Sequence, residues 1–322
     1  QTAKREAVAV DALSPAVRDR LRAAALGAAL GDALGMPLEF GPALPLTGMV
    51  REMRAGRLPA GSFTDDTEMA LALAESLLAF NPLNPQDLAD RFVGWLEHDP
   101  PDVGNQTYQI LSRMRQGLDW EAASLESLQR NPNSSGNGSV MRCWPVALAR
   151  CTQPQELMEE SRLQSRVTHP AQDCQDACAL VNVMIRELAF GASPQQALDS
   201  ALEAVSVSAQ ALDMLRRAPQ QPREAVANSG WVLHTLESAV WGLMTTHSFE
   251  EAVVQVANLG EDADTAAAVT GALAGAAYGL DAIPPRWRNA LRGGWPLDSG
   301  EIWDAPRLLK LADDLLALNA PA

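Results

Sequence analysis

Two short acidic segments contain the residues of this chain that are best suited to metal chemistry. They are separated by about two hundred residues, and each contributes two carboxylates and one hydroxyl. Such oxygen ligands are the ones that Mg²⁺, Mn²⁺ and Ca²⁺ prefer in proteins. The residues concerned are Thr64, Asp65 and Asp66 in the first segment and Asp262, Asp264 and Thr265 in the second.

Each segment on its own has a second explanation as a helix cap. Both precede or open apolar stretches with helical spacing, at residues 67–80 and 266–280, and Asp and Thr are favoured there. One cap needs one such side chain, so three in succession exceed the requirement. The pair of segments therefore predicts two divalent cations that could clamp a substrate oxygen and activate water for hydrolysis. The lack of HExxH and of a His or Cys cluster argues against zinc.

Other polar residues are candidates for the same site, each with an ordinary alternative. The segment Gly136–Arg142 is glycine-rich, so its backbone N–H groups can approach phosphate oxygens, or it is a simple loop. Glu39 follows the break at Pro37 and is either an active-site carboxylate or an exposed glutamate. Asp32 lies in an apolar helical stretch and needs a partner if it is buried. His169 is either structural or close to a ligand.

Helical spacing of apolar residues predicts the elements that must position these groups. Apolar residues make up 47% of the chain and aromatic residues only 5%, and the abundant alanine favours helices. We find no alternating strand pattern, no repeat and no dividing linker, which predicts one all-α domain over residues 1–322. Its core spans about residues 20–320, after a short flexible N-terminal segment. Helices are expected at 15–36, 67–80, 85–95, 105–116, 121–129, 154–165, 171–190, 194–215, 231–245, 248–258, 263–280 and 305–318.

Glycines recur every four residues in two of these predicted helices. Gly27, Gly31 and Gly35 lie on one face of the first, and the glycines at 271, 275 and 279 lie on one face of another. A helix face without side chains lets a second helix approach closely. The spacing predicts such an approach for the face at 271, 275 and 279, and a smooth face at Gly27, Gly31 and Gly35.

Charge and hydropathy exclude several classes of protein. The net charge of −15 is opposite to that of a general nucleic-acid binder. No run of eighteen apolar residues predicts a membrane span, and the first residues lack the apolar core of a signal peptide. A cytoplasmic protein is therefore expected.

Seven motifs, in this order, resemble the ADP-ribosylglycohydrolases, including the dinitrogenase-reductase-activating type. They span about residues 20–290 and read GAALGDALGMPLEF, FTDDTEMALALAESL, PDVGNQT, GNGSVMR, THP, SGWVLHTLESAVW and LGEDADTAAAVTGALAGAAYG. The resemblance implies a compact, single-domain, orthogonal multi-helix bundle with two Mg²⁺ or Mn²⁺ ions at the base of a cleft. It also implies hydrolysis of the bond between C1″ of ADP-ribose and an acceptor. The partner would be an ADP-ribosylated protein or a small ADP-ribose adduct, and ADP-ribose would be the product.

The resemblance further assigns roles to single residues. The implied metal ligands are Thr64, Asp65, Asp66, Asp262, Asp264 and Thr265. The implied substrate-binding residues are Asp102, Gly104, Gly136, Asn137, Gly138, Ser139, Met141, Arg142, His169 and Trp231. Glu39, Asp65 and Asp102 remain alternatives for the residue that moves the proton.

Three departures from the family pattern bear on the substrate. Trp231 stands where the nitrogenase-type members often have a tyrosine, and His234 stands where an acidic residue is common. Ser135 precedes Gly136 where some serine-directed members have an aromatic residue. The acceptor therefore stays open among arginine, serine and another ADP-ribose acceptor. A silent binding or structural homologue, and a hydrolase of another small nucleotide or glycoside, are the alternative functions.

Overall fold

Helices form nearly all the regular structure in the computed structural model, which describes residues 13–319. A two-residue antiparallel pair, β1 at Gly293–Gly294 and β2 at Ile302–Trp303, is the only sheet among the described residues. The predicted all-α class is confirmed. The predicted flexible N-terminal segment falls largely on residues outside the described range, and the single domain stays a prediction. The helices are α1 Pro15–Gly35, α2 Asp65–Ala79, α3 Pro85–Glu97, α4 Asn105–Arg115, α5 Trp120–Arg130, α6 Trp144–Ala149, α7 Pro154–Arg166, α8 Gln172–Ala189, α9 Pro194–Ala204, α10 Ala209–Arg217, α11 Val232–Thr245, α12 Phe249–Ala257, α13 Ala263–Tyr278, α14 Pro285–Ala290 and α15 Ala305–Leu316.

Proline and a preceding polar residue mark several helix starts. Ser14 caps α1 by accepting a hydrogen bond from the Val17 N–H at 3.2 Å, and Pro15 takes the first helical position. Ser193 and Pro194 begin α9 in the same way. Proline suits this position because its fixed φ is helical and its missing N–H would have no helical partner.

The closest helix pair is α1 against α13, and it forms the centre of the core. A Cβ built on Gly31 would lie 2.0 Å from the carbonyl oxygen of Ala267, and one on Gly271 would lie 2.0 Å from that of Gly27. Most of α1 and nearly all of α13 are buried, and α13 also packs against α8, α11 and α12. The close approach that the glycine spacing predicts is confirmed, and it fixes where the first turn of α13 lies relative to the end of α1.

Three features of the fold differ from the sequence prediction. The helix expected at 194–215 is two helices, because the backbone is extended at Val205 and Ser208 caps α10. The short helices α6 and α14 were not predicted, since each has only six residues. The hairpin of β1 and β2 is too short to leave an alternating pattern.

The apolar helices of this fold are buried by other helices. The sixteen residues of α13 include no charged side chain after Asp264, and fourteen of them are buried. Within residues 13–319, no helix is both long and apolar enough to cross a membrane.

Candidate metal and substrate site

The first turns of α2 and α13 bring the two acidic segments together beside the end of α1. Carboxylate oxygens of Asp32, Asp66 and Asp264 lie within 4.8 Å of one another. A second set with the same spacing consists of Glu39, Asp262 and Asp264. Asp264 belongs to both sets, so these carboxylates form two adjoining triads that are able to bind metal.

Asp32 organises the first triad through hydrogen bonds to the start of α2. Its carboxylate accepts bonds from the N–H and hydroxyl of Thr64, at 2.9 and 2.7 Å, and from those of Thr67, at 3.2 and 2.7 Å. Thr64 also caps α2, as expected, because its hydroxyl accepts from the Asp66 N–H. Four donors occupy the Asp32 oxygens, so Asp32 positions the turn that carries Asp66. Sequence reasoning recognised only that a buried Asp32 needs a partner.

Several carboxylates of the triads have raised pKa values, as expected where acidic groups are gathered to bind a cation. Burial, followed by the neighbouring carboxylates, raises the pKa values of Asp66 and Asp264 well above their ordinary range. Burial also raises the pKa of Glu39 to about 7, although Arg57 opposes the shift. The Oδ2 atom of Asp66 is buried and has no hydrogen-bond partner. An orphaned carboxylate oxygen among other carboxylates fits a hard divalent cation, which would restore the charged forms.

One arginine reaches this acidic region from a segment without regular structure. The guanidinium of Arg57 pairs with Glu39, with Asp102 at 2.5 Å and with Asp264 at 3.4 Å. A further bond joins its Nη1 to the carbonyl of Met36 at 3.3 Å. Arg57 was not singled out from the sequence, because nothing in its neighbourhood there indicates a site.

The triads open into a cavity of about 460 Å³ that also contains the glycine-rich loop. A Cβ on Gly138 would lie 2.5 Å from the His169 ring, so only glycine fits there. Asn137 joins this loop to the second triad by donating to Asp262 at 2.8 Å. Among the predicted site residues, those that line the cavity are Glu39, Asp65, Asp66, Asp102, Gly104, Gly136, Asn137, Gly138, Met141, His169, Asp262, Asp264 and Thr265.

Comparison with known proteins decides the family. The ADP-ribosylglycohydrolase sequence profile matches residues 13–321. The chain belongs to the ADP-ribosylglycohydrolase family. The predicted family and the predicted enzyme class, a hydrolase, are thereby confirmed.

Individual relatives of this ADP-ribosylglycohydrolase carry hydrolase names. It is 34% identical to the ADP-ribosylarginine hydrolase Tri1 of Pseudomonas putida (strain GB-1), over 84% of this chain and 73% of the relative. It is also 34% identical to the ADP-ribosyl-[dinitrogen reductase] glycohydrolase of Rhodospirillum rubrum, over 86% and 92%. A solved structure of an ADP-ribosylglycohydrolase-related protein complex superposes with a TM-score of 0.77 at 33% identity, over 95% of this chain and all of that one.

Four predicted site residues lie outside the cavity lining of this ADP-ribosylglycohydrolase. Thr64 is turned toward Asp32, as described above. The Ser139 hydroxyl bonds that of Ser165 at 2.7 Å. Of the other two, Arg142 is the buried last residue of the glycine-rich loop, and Trp231 comes from the segment before α11.

Arg142 and Trp231 hold the loop through different contacts. Arg142 is fully buried, and its guanidinium donates to the side-chain and backbone oxygens of Gln164 and to the Gly138 carbonyl. Burial lowers the pKa of Arg142 to about 9. The backbone at Trp231 pairs with Gly136, and its ring packs edge-on against His234 at 4.8 Å. In this structure both residues position the loop that faces the cavity.

Several cavity residues lie within the quoted motifs but were not given a role from the sequence. Gln106 and Thr107, in the first turn of α4, line the cavity beside the expected Gly104. Phe40 also lines it, with an 83% exposed side chain and a left-handed φ of 66°. Their places in the motifs PDVGNQT and GAALGDALGMPLEF could have indicated a role, whereas the positive φ of Phe40 has no sequence signature.

Proposed function

We propose that this chain hydrolyses the bond between C1″ of ADP-ribose and an arginine side chain of a modified protein, with two divalent cations, Mg²⁺ or Mn²⁺. The observation that carries the proposal is the pair of carboxylate triads that share Asp264 within one cavity. The relatives named as hydrolases of ADP-ribosylated arginine and dinitrogen reductase support the substrate class. A cationic guanidinium also suits an acidic cavity better than a neutral serine oxygen does.

The residues of the two triads would hold the cations. We assign Asp66 and Asp264 to one cation and Glu39, Asp262 and Asp264 to the other, with Asp65 and Thr265 adjacent. When bound, two such ions supply Lewis acidity and orient hydroxyl groups of the ribose. The glycine-rich loop, with Gly136 and Gly138 free of side chains, faces the same cavity and suits the diphosphate.

We assign the proton transfer to Asp102. Its carboxylate lines the cavity, it belongs to neither triad, and its side chain is 27% exposed, so it can exchange protons with solvent. Asp102 accepts a proton from the attacking water as the bond between the water oxygen and C1″ forms. The bond from C1″ to the arginine nitrogen breaks, and the proton returns to that nitrogen, so the departing guanidinium keeps its charge. Nearby carboxylates stabilise the oxocarbenium character of the transition state.

Release of free ADP-ribose from an arginine-modified protein tests the proposed function. We expect release with Mg²⁺ or Mn²⁺, none with a chelator, and a loss of at least a hundredfold in Asp264→Asn, which removes the shared ligand. Serine-linked and O-acetyl-linked ADP-ribose serve as the comparison substrates. Failure to release ADP-ribose from all three substrates with either metal would refute the enzyme, whereas release from serine alone would refute the arginine assignment.

A further inference from the structure

A fully buried positive charge lies directly behind the glycine-rich loop. The guanidinium of Arg142 has no contact with solvent and no carboxylate partner in the part of the chain that the structure describes. Its neighbours are oxygens of Gln164 and Gly138 and the ring of Phe92, whose centre lies 4.4 Å from the guanidinium carbon. Buried charges are normally paired, because an uncompensated one is costly. The charge of Arg142 is thus not balanced by any carboxylate beside it.

A second buried arginine, Arg150, has the partner that Arg142 lacks. Arg150 is 1% exposed, and its Nη2 atom donates to Glu160 Oε1 at 3.2 Å. Burial in this fold is therefore compatible with an arginine–carboxylate pair. Arg142 differs from Arg150 because its hydrogen-bond partners are amide and carbonyl oxygens only.

The glycine-rich loop turns four successive carbonyl groups toward other protein groups. The carbonyls of residues 136–139 accept hydrogen bonds, in order, from the Cys174 thiol at 3.3 Å, the Met141 N–H at 3.2 Å, Arg142 Nη1 at 3.2 Å and Gln164 Nε2 at 3.2 Å. In a trans peptide, the C=O and the following N–H point in opposite directions. The N–H groups of Gly138 and Ser139, which have no acceptor among the described residues, therefore point away from these partners.

Arg142 determines the direction of one of these N–H groups. Its bond to the Gly138 carbonyl fixes the peptide that carries the Ser139 N–H. Gly138 lines the cavity, whereas Arg142 does not. The guanidinium therefore binds this peptide from behind and leaves its N–H for the cavity side. A charged donor at the carbonyl also polarises the peptide, which strengthens the N–H as a donor.

We propose that Arg142 is a positioning residue for the diphosphate of the substrate, and that it acts from behind the loop as the counter-charge of that diphosphate. The inference rests on the proposed function, from which it takes the diphosphate beside the glycine-rich loop. The negative charges of the diphosphate balance the guanidinium across the Gly138 peptide, and the buried setting screens this attraction only weakly. Arg142 thereby favours an anionic diphosphate over a neutral group in the same place.

Titration of ADP-ribose into Mg²⁺-saturated protein tests this role without turnover. Arg142→Gln should bind ADP-ribose about tenfold more weakly than the unchanged chain. Its affinities for Mg²⁺ alone and for adenosine, which has no diphosphate, should stay within about twofold. KM should rise by a similar factor while kcat changes little, because the diphosphate stays bound throughout the reaction. Equal ADP-ribose affinities in the two proteins would overturn the inference.

Arg142→Lys separates the charge of the side chain from its shape. At about pH 6 a buried lysine keeps its positive charge, but it lacks the planar guanidinium fork. We expect its ADP-ribose affinity to lie between those of the unchanged chain and Arg142→Gln. Arg142→Met supplies the neutral side chain if Arg142→Gln does not fold. An affinity of Arg142→Lys as low as that of the neutral variant would exclude the counter-charge and overturn the inference.

Cys178 provides the matched control behind the same loop. Its thiol accepts from Gln164 Nε2 at 3.2 Å and donates to Ser139 Oγ at 3.4 Å, and as a thiolate it would itself be a counter-charge for Arg142. Cys178→Ser keeps a donor and an acceptor there without an ionisable thiol, so the ADP-ribose affinity should stay within about twofold. Markedly tighter binding in Cys178→Ser would show that the thiolate balances Arg142, contrary to the inference.

Binding and turnover together distinguish this inference from the proposed function. Weaker ADP-ribose binding by Arg142→Gln supports the inference even if no substrate is hydrolysed, in which case the proposed function alone fails. Hydrolysis of arginine-linked ADP-ribose with an unchanged KM in Arg142→Gln overturns the inference and leaves the proposed function intact. Absence of ADP-ribose binding by the unchanged chain would refute both.

Discussion

Replacing Gly31 by alanine should separate α1, which carries Asp32, from α13, whose first turn carries Asp264. The new Cβ would lie 2.0 Å from the Ala267 carbonyl oxygen, whereas ordinary contact begins at 3.4 Å, so the backbones must move apart by about 1.4 Å. Metal sites tolerate changes in ligand distance of only about 0.2 Å. We therefore expect Gly31→Ala to lower the affinity for Mn²⁺ or Mg²⁺ by roughly tenfold to a hundredfold, although Gly31 is not itself a proposed metal ligand.

The same substitution should destabilise the metal-free fold. Overpacking a core costs about 1–3 kcal/mol, while alanine in place of glycine inside a helix contributes about 1 kcal/mol in the opposite direction. Gly94→Ala is the control, since a Cβ at Gly94 within α3 meets nothing within 4 Å. This variant should show only the increase in unfolding free energy that comes from the better helix propensity of alanine. Urea unfolding measures the stability of the metal-free protein, and calorimetry measures its affinity for the metal. A Gly31→Ala protein as stable as Gly94→Ala, with unchanged metal affinity, would refute the argument from helix packing.

The remaining predictions concern single groups at the site. Asp66→Asn should weaken metal binding at least tenfold. It should also raise the melting temperature of the metal-free protein, because it removes a buried charge among carboxylates. A lower melting temperature without metal would contradict this expectation. Asp102→Asn should lower kcat by about 10²–10⁴ and leave metal affinity within about twofold, so a normal kcat would exclude it as the base. Burial lowers the pKa of His169 from 6.5 to about 3, so the folded chain keeps it neutral while the unfolded chain protonates below pH 6.5. Stability should therefore fall by about 2 kcal/mol from this group between pH 6.5 and 5, and unfolding titrations of His169→Gln should show a shallower pH dependence over that range.

The sequence predicts candidate metal ligands but not their arrangement. Carboxylates at two helix starts indicate a metal because one cap cannot account for them, and glycines at four-residue spacing indicate the contact that aligns those starts. Assignment of individual carboxylates to the triads depends on side-chain directions that spacing does not determine. Asp32 illustrates this limit: an aspartate inside an apolar helix must have partners, but only the fold identifies them as Thr64 and Thr67.

The second triad depends on a backbone contact that sequence reasoning cannot reach. The Phe40 N–H donates to the Glu261 carbonyl at 2.7 Å, and the Glu261 N–H donates to the Gly41 carbonyl at 2.8 Å. Both Phe40 and Glu261 have positive φ, which costs a non-glycine residue about 1–3 kcal/mol. The reciprocal bonds hold the segment after Glu39 against the segment before Asp262, and so they bring those two carboxylates to one place. The strained residues are therefore the direct neighbours of two proposed ligands. We expect such strain where the position of a carboxylate matters more than the stability of the local backbone. Glycine at either position would relieve that strain but would also widen the range of conformations open to its neighbouring carboxylate.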